Sequence, residues 1–353
     1  MIKNFFHNKN ILVTGHTGFK GSWLCQFLNL FNSKVTGFAL AAEKVSLYNL
    51  LNLEKDINSN IADIRNFDQI NRIVKDSKPE IIFHLASQPL VRYSYQHPIE
   101  TWHTNVIGTA NLFEAAKNCS QTKVIINVTS DKCYENKEWD FPYRENDRLG
   151  GYDPYSSSKA ASEILSTSYR NSFFNKMGIK LATARAGNVI GGGDFSEDRI
   201  VPDIIRSIKN KKELQIRSPN AIRPWQHVFE PLAGYMILAM KLYNNENCFN
   251  AYNFGPYSYD KKTVIDLIKI FSKSFSDLSY NINEQETKKM HEAKTLILDS
   301  SLAINQLNWK PLYDCDRAIN HTIEWYKIYL ENLQSIKEYS TNQIENYLSK
   351  LKY

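Results

Sequence analysis

The sequence predicts an α/β protein: a Rossmann-type doubly wound parallel sheet with a smaller C-terminal substrate-binding domain. Three observations carry this expectation. Short apolar runs alternate with helical patterns through the first half of the chain, as expected of parallel strands covered by helices on both faces. A glycine-rich turn separates the first run from the first helix, and the alternation loosens after about Gly187.

Each element follows from local pattern. Asn10-Ile11-Leu12-Val13-Thr14 reads as the first strand, and Trp23, Leu24, Phe27, Leu28 and Phe31 then recur at helical spacing. Lys34 to Leu40 is a second strand, and a third lies near Ile57 to Ala62. A helix carrying Phe67, Ile70, Ile73 and Val74 follows, then strands at Glu80–Leu85 and Val124–Val128, separated by a helix around Asn105 to Lys117. Ile179 to Ala184 makes a sixth strand. Beyond the loop Gly191-Gly192-Gly193-Asp194 a helix is expected to start at Pro202, since proline favours the first turn. Further helices are expected near Leu232–Tyr243, Val264–Phe271 and Arg317–Leu330, and the tail from Gln334 to Tyr353 is polar and helix-compatible.

Composition narrows the function classes. The 353 residues are 42% hydrophobic and 12% aromatic, enough for a sizeable core. No apolar run reaches the length of a membrane span, and the N-terminus has no room for a signal segment. Cys25, Cys119, Cys133, Cys248 and Cys315 are scattered and never paired as CxxC, so neither a disulfide framework nor a metal site is expected, and a cytoplasmic location fits. The net charge of +6 is interspersed with acids rather than gathered in an arm, and suits small anionic ligands as well as nucleic acid, so charge alone does not choose between them.

Gly15-His16-Thr17-Gly18-Phe19-Lys20-Gly21 spells GxxGxxG between the first strand and first helix. Glycines there let the backbone turn tightly and approach a pyrophosphate, whose charge the helix N-terminus favours. The turn therefore predicts a dinucleotide held by residues 1–187, with 188–353 mainly binding substrate and some later segments returning to the sheet. Asp63 and Ile64 follow the third strand, where the extended short-chain dehydrogenases, whose glycine spacing this turn resembles, hold adenine. Leu85, Ala86 and Gln88 follow the fourth, and Thr104 is expected to complete the cleft. NAD is favoured over NADP, although Ala39 ends the second strand and the nearest acid, Glu43, comes late; Lys20 and Lys44 are the residues available to a 2′-phosphate.

Tyr155 and Lys159 stand four residues apart on one helix face, with Ser130 ending the fifth strand segment. A neighbouring lysine and a nicotinamide cation both favour phenolate, so Tyr155 is expected to take a hydroxyl proton while hydride leaves the same carbon. The spacing alone is weak, since Tyr257 and Lys261 repeat it without context. Its position downstream of a dinucleotide turn is what selects the first pair.

The strings GHTGFKGSW (15–23), SDKCYEN (130–136), GGYDPYSSSK (150–159), ARAGNVIGGGDF (184–195) and RPWQHV (223–228) resemble those of the CDP-glucose 4,6-dehydratases, within the extended short-chain dehydrogenase/reductases. The resemblance runs from about Lys9 to Pro256 and implies an NAD-dependent hydro-lyase acting on CDP-glucose in deoxysugar synthesis. It implies that Asp131 is the acid for the departing C6 hydroxyl. It places Lys132 where other sugar-nucleotide dehydratases carry glutamate, either as a base at C5 or as a group that positions substrate. Asn188, Arg199, Arg217 and Arg223 are candidates for the nucleotide diphosphate, with His227 beside Arg223 in its string. A homo-oligomer, dimer or tetramer, is also implied. A 4-epimerase would share the glycine turn, Tyr155 and Lys159 but needs no acid and base for elimination. A dinucleotide-sensing regulatory protein would have no need of the full catalytic set.

Overall fold

A computed structural model describes residues 1–216, 218–260, 262–282 and 296–353. Seven strands form the central sheet: β1 (Asn10–Thr14), β2 (Lys34–Ala39), β3 (Asn58–Ile61), β4 (Ile81–His84), β5 (Val124–Val128), β6 (Lys180–Ala186) and β7 (Ala251–Phe254). Their order is β3-β2-β1-β4-β5-β6-β7, and every neighbouring pair is parallel. The order reverses between β1 and β4, and in open parallel sheets ligands bind at the strand ends beside such a reversal.

The unbroken apolar runs are explained by cover on both faces. Ile11 and Val13 of β1 pack with Phe83 of β4 and with Trp23 and Phe27 of the first long helix, Phe19–Leu30. Leu12 points the other way, into a second cluster with Phe38, Ile82, Ile125 and Leu112. Each of these side chains is essentially fully buried, which contributes roughly 1.5–3 kcal/mol apiece for residues of this size. A polar substitution on either face of β1 would therefore break the core.

The helices follow the predicted order with shifted boundaries. Phe67–Ser77 is capped by Asn66, whose side chain accepts from the Gln69 amide. The segment before β5 opens with a π-helical turn, His103–Ile107, and continues as Gly108–Lys117. The helix expected to start at Pro202 begins at Ile200 and runs to Asn210; proline is tolerated anywhere in a first turn, where no amide has an intrahelical partner. A short helix at Ile2–Phe6, too brief to show a period, buries Ile2 and Phe6.

The remaining segments stand at the carboxyl ends of the strands and beside the sheet. Phe229–Tyr243 is apolar nearly all round and lies in the core. Short strand pairs join Val189–Ile190 to Gln226–His227, Leu214–Ile216 to Tyr280–Ile282, and Ile222–Arg223 to Lys262–Thr263. The polar tail forms the helix Ile336–Lys350, tied down by Trp325 Nε1 donating to Ser340 and by Tyr347 donating to Glu230 at 3.0 Å. Among the described residues no helix is long and apolar enough to cross a membrane.

Candidate active site

A cleft of about 1380 Å³ opens over the carboxyl ends of the strands. Gly15, Thr17, Gly18, Phe19, Lys20 and Gly21 line one part of it; Asp63, Ile64, Leu85, Ala86 and Thr104 line the adjoining wall. Ser130, Asp131, Lys132, Tyr155 and Lys159 face the same space, as do Asn188, Arg199 and Arg223. Arg217 lies outside the described residues. Gln88 and His227 are not in the lining.

The glycine turn has two positions where a side chain does not fit. Gly15 adopts φ +75°, and a Cβ there would lie 2.8 Å from the Ala86 amide nitrogen. At Gly21 a Cβ would lie 2.0 Å from the Gly15 carbonyl oxygen, so helix and turn touch backbone to backbone. Gly18 is the N-cap of the helix Phe19–Leu30, which has no side-chain cap. Its first-turn amides therefore face the cleft with the positive end of the helix dipole behind them. This backbone cradle fits a dinucleotide pyrophosphate.

At one end of the cleft, both carboxylate oxygens of Asp63 accept from the Arg65 guanidinium and one also accepts from the Arg65 amide. That pair holds the Asp63 carboxyl below the usual range. At the β4 end, the Leu85 and Ala86 amides donate to the Thr14 hydroxyl, both at 3.2 Å. Gln88 is turned away from the cleft: its side chain donates to the Leu90 carbonyl and the Thr101 hydroxyl. These side-chain bonds to the segment after it and to Thr101 occupy the Gln88 amide, so the expected cofactor contact is corrected. Lys20 also differs from expectation as a 2′-phosphate partner. Its ammonium lies 6.0 Å from the Tyr235 ring centroid, and it feels the charges of Arg199, Lys159, Asp131 and Lys132. Burial, then Arg199 and Lys159, push it down to about 7.

The candidate reacting groups line one cleft. Ser130 caps a short 3-10 turn, Asp131–Cys133, by accepting from the Lys132 amide. Its hydroxyl donates to Asp131 Oδ1 at 2.9 Å, and Lys132 Nζ reaches the same oxygen at 3.2 Å. Asp131 is buried while Lys132 is partly exposed. Tyr155 opens the helix Pro154–Tyr169, whose N-cap Asp153 accepts from the Ser156 amide. Burial raises the Tyr155 phenol, opposed by the charge of Lys132 and by a side-chain hydrogen bond with Ser130. The protein alone thus leaves the phenol above its ordinary value, and the lowering expected from the sequence needs a further positive charge in the cleft. Lys159 donates to the Val128 carbonyl at 3.3 Å. Burial pushes its ammonium down to about 8, against the charge of Glu163.

Arg199 and Arg223 line the same cleft. Arg199 donates to Asp194 at 2.8 Å and lies close enough to Tyr155 for the two charges to interact. Arg223 pairs with Lys262 across two antiparallel strands. His227 belongs to the core. Its Nδ1 accepts from the Phe229 amide, its ring packs on Phe229 and Tyr313, and burial with neighbouring His321 pushes it down to about 3. A neutral, enclosed imidazole does not pair with phosphate, so that expectation is corrected. Arg92 and Asp198 were not foreseen. They line the cleft and meet at 3.1 Å, linking the helix Val91–Gln96 to the loop before Arg199. Their separation of 106 residues gives no sequence signal.

Comparison with known proteins identifies the family. The family model described as GDP-mannose 4,6 dehydratase matches residues 12–322. A CDP-glucose 4,6-dehydratase of Salmonella typhimurium is 44% identical over 355 aligned residues, covering 98% of each chain. The solved dTDP-glucose 4,6-dehydratase of Bacillus anthracis, in complex with NAD, shares the fold at a TM-score of 0.75 with 20% identity, covering 92% of this chain and 98% of that one. A UDP-glucose 4-epimerase of Thermotoga maritima, with UDP-glucose, has a TM-score of 0.77 at 24% identity, covering 91% and 99%. With the cleft, the glycine turn and the Ser130, Tyr155 and Lys159 set in one place, the chain belongs to the short-chain-dehydrogenase-type nucleotide-sugar dehydratases represented by the GDP-mannose 4,6 dehydratase family.

Proposed function

We propose that the chain is a CDP-glucose 4,6-dehydratase that converts CDP-D-glucose to CDP-4-keto-6-deoxy-D-glucose with bound NAD. The observation that carries the reading is Asp131, buried between the Ser130 hydroxyl and the Lys132 ammonium on the same wall as Tyr155. An acid and a second proton-transfer group beside a redox tyrosine suit elimination of water, and a 4-epimerase requires neither.

Gly15, Gly18 and the first-turn amides of Phe19 to Gly21 would hold the cofactor's pyrophosphate, with Asp63 and Ile64 toward its adenine end and Thr17, Leu85, Ala86 and Thr104 along the cleft. Bound there, NAD would supply the hydride acceptor and donor and the positive charge that the Tyr155 phenol lacks. Tyr155 takes the O4 proton, with Ser130 hydrogen-bonded beside it and the charges of Lys132 and Arg199 opposing the burial that raises its phenol, and Lys159, one helical turn on, adds a further charge that favours phenolate. A ketone at C4 then acidifies the C5 proton. Transfer of a proton within the Asp131–Lys132 pair, whose groups meet at 3.2 Å, would leave a Lys132 amine to take the C5 proton and an Asp131 carboxylic acid to protonate the departing O6, so that water leaves as the C5–C6 double bond forms. Asn188, Arg199 and Arg223, in the same cleft, would supply donors toward the diphosphate.

The preference for cytidine follows the 44% identical relative. Incubating the protein with NAD and CDP-glucose, in parallel with the UDP, GDP and dTDP sugars, tests it. Loss of one water from CDP-glucose alone, without net NADH, is expected. Water lost chiefly from another nucleotide sugar would overturn the base assignment, and unchanged mass throughout would overturn dehydration.

A cytoplasmic homo-oligomer completes the proposal. Ile99, Trp102 and Ile107, in the helical stretch 98–117, and Ile164, in Pro154–Tyr169, are exposed apolar residues on two helical segments that pack together, a surface suited to pairing with a second copy. Light scattering should give a multiple of the 40.9 kDa chain mass; a strictly monomeric mass would contradict it.

A further inference from the structure

Beneath the catalytic wall lies a buried charge pair with no place in the chemistry so far. Glu163 stands on the helix Pro154–Tyr169, one turn beyond Lys159 and two beyond Tyr155. Glu163 and Arg185 are almost wholly enclosed, and they meet at 2.8 Å. The hydrogen bonds of the carboxylate lead to the segment that runs into Ser130 and to β6. Oε1 accepts from the Thr129 hydroxyl and from Arg185 Nε at 2.9 Å. Oε2 accepts from the Thr183 hydroxyl at 2.7 Å and from Arg185 Nη2. Thr129 immediately precedes Ser130 and Asp131, while Thr183 and Arg185 sit on β6, which leads into Asn188.

The guanidinium extends the anchor. Arg185 Nη1 donates to the Tyr134 hydroxyl at 2.7 Å and to the Glu145 carbonyl. Tyr134 in turn donates to Asn253 Oδ1 on β7. The turn Asp131–Cys133 is therefore held at both ends, by Thr129 before it and by Tyr134 after it. A single guanidinium–carboxylate pair underlies both attachments.

We infer that Glu163, clamped by Arg185, is a positioning residue that fixes the Ser130–Asp131 turn against the Tyr155–Lys159 helix. This rests on the proposed roles of Ser130, Asp131, Tyr155 and Lys159. A buried ion pair is weak support for stability, because removing two charges from water offsets much of their attraction. Its persistence where two catalytic segments meet points to geometry instead. Against burial, which pushes it up, Arg185 holds the Glu163 carboxyl below its usual range, so the anion persists at neutral pH. The other groups facing Lys159 are Cys133 from the turn, His84 from β4 and Lys20 from the first long helix. Burial keeps Cys133 and His84 neutral and Lys20 is not an anion, so none of them replaces Glu163. Arg170, which also feels Glu163, is held by the Leu181 carbonyl.

The test uses Glu163→Gln, which keeps shape and removes charge, and Thr183→Val, which removes one hydrogen bond from a residue outside the cleft. For Glu163→Gln, kcat should fall by about tenfold or more while KM for the nucleotide sugar stays within about twofold, the pattern of a lost transition-state contact. The alkaline limb of kcat/KM should move to lower pH, since Lys159 loses its anion. Thr183→Val should lower kcat by a smaller factor and leave the limb in place. Both variants are checked by near-ultraviolet circular dichroism; if Glu163→Gln fails to fold, Thr183→Val and Arg185→Lys decide on kcat against KM. Folded variants with parental kcat and an unmoved limb would overturn the inference. Tyr155→Phe run alongside separates the two readings: an active Tyr155→Phe overturns the catalytic assignment itself, whereas an inactive one with unaffected Glu163 variants overturns only the positioning role.

Discussion

Replacing Gly21 by alanine tests the glycine turn most sharply. The new Cβ would lie 2.0 Å from the Gly15 carbonyl oxygen, 2.7 Å from the Gly15 carbonyl carbon and 2.8 Å from His16 Cα. All three are backbone atoms, so no side-chain rotation relieves the contact. Ordinary contacts need about 3.5 Å, so helix and turn must part by roughly 1 Å or more. Overpacking of this kind costs about 1–3 kcal/mol of stability. The same displacement moves the first-turn amides off the pyrophosphate, and a loss of about 10- to 100-fold in NAD affinity, roughly 1.4–2.8 kcal/mol, is expected. Gly18→Ala is the control. Its Cβ meets only the Gly15 oxygen, at 3.4 Å, and the residue is exposed to the cleft. That variant should keep its Tm within about 1 °C by the general tolerance of surface positions, yet bind NAD about tenfold more weakly because the methyl occupies the ligand's approach. NAD titration calorimetry beside thermal unfolding reads both effects. Parental affinity and Tm in Gly21→Ala would refute the close-packed turn; parental affinity in Gly18→Ala would refute the pyrophosphate placement.

Three further outcomes follow from the site. Tyr155→Phe should lower kcat by about 10²- to 10⁴-fold, the usual worth of a positioned acid–base group, with calorimetric NAD affinity little changed; a loss under threefold would exclude the role. Because Lys159 is pushed down to about 8, its ammonium is present below that pH and lost above it, so kcat/KM should fall with a midpoint near 8. Activity flat to pH 10 would contradict this. Glu230 is buried, accepts from the Leu312 and Tyr313 amides and from Tyr347, and is pushed up by burial to about 7. The folded state therefore holds this proton more tightly than the unfolded chain. Its contribution is complete below the ordinary carboxyl value and declines by up to about 3 kcal/mol as pH rises through 7. Glu230→Gln should flatten the Tm profile between pH 5 and 8 relative to the parent, and parallel profiles would refute the shift.

What the sequence revealed and what it hid have physical causes. The observed limits of β1 and β5 are those read from the sequence, because an apolar run buried on both faces ends where polar residues begin. Tyr155, Lys159 and Ser130 were legible because a fixed spacing on a helix and a strand end puts them at one rim. His227 was misplaced because Pro224 interrupts the segment: Ile222–Arg223 pairs with Lys262–Thr263, while Gln226–His227 turns to pair with Val189–Ile190. Alternation does not carry across that break, so Arg223 faces the cleft and His227 the core. The facing of Lys20 depends on packing near Tyr235, which no local pattern encodes. Glu163 with Arg185, and Arg92 with Asp198, join different elements at separations without a period.

The central claim is that hydride removed from C4 returns to C6 of the same sugar. CDP-glucose carrying deuterium at C4 tests it most directly, with the product analysed by mass and by NMR at C6. The proposed chemistry predicts loss of one ordinary water and retention of the deuterium at C6. Deuterium lost to solvent, or recovered at C4 of an isomer of unchanged mass, would contradict it.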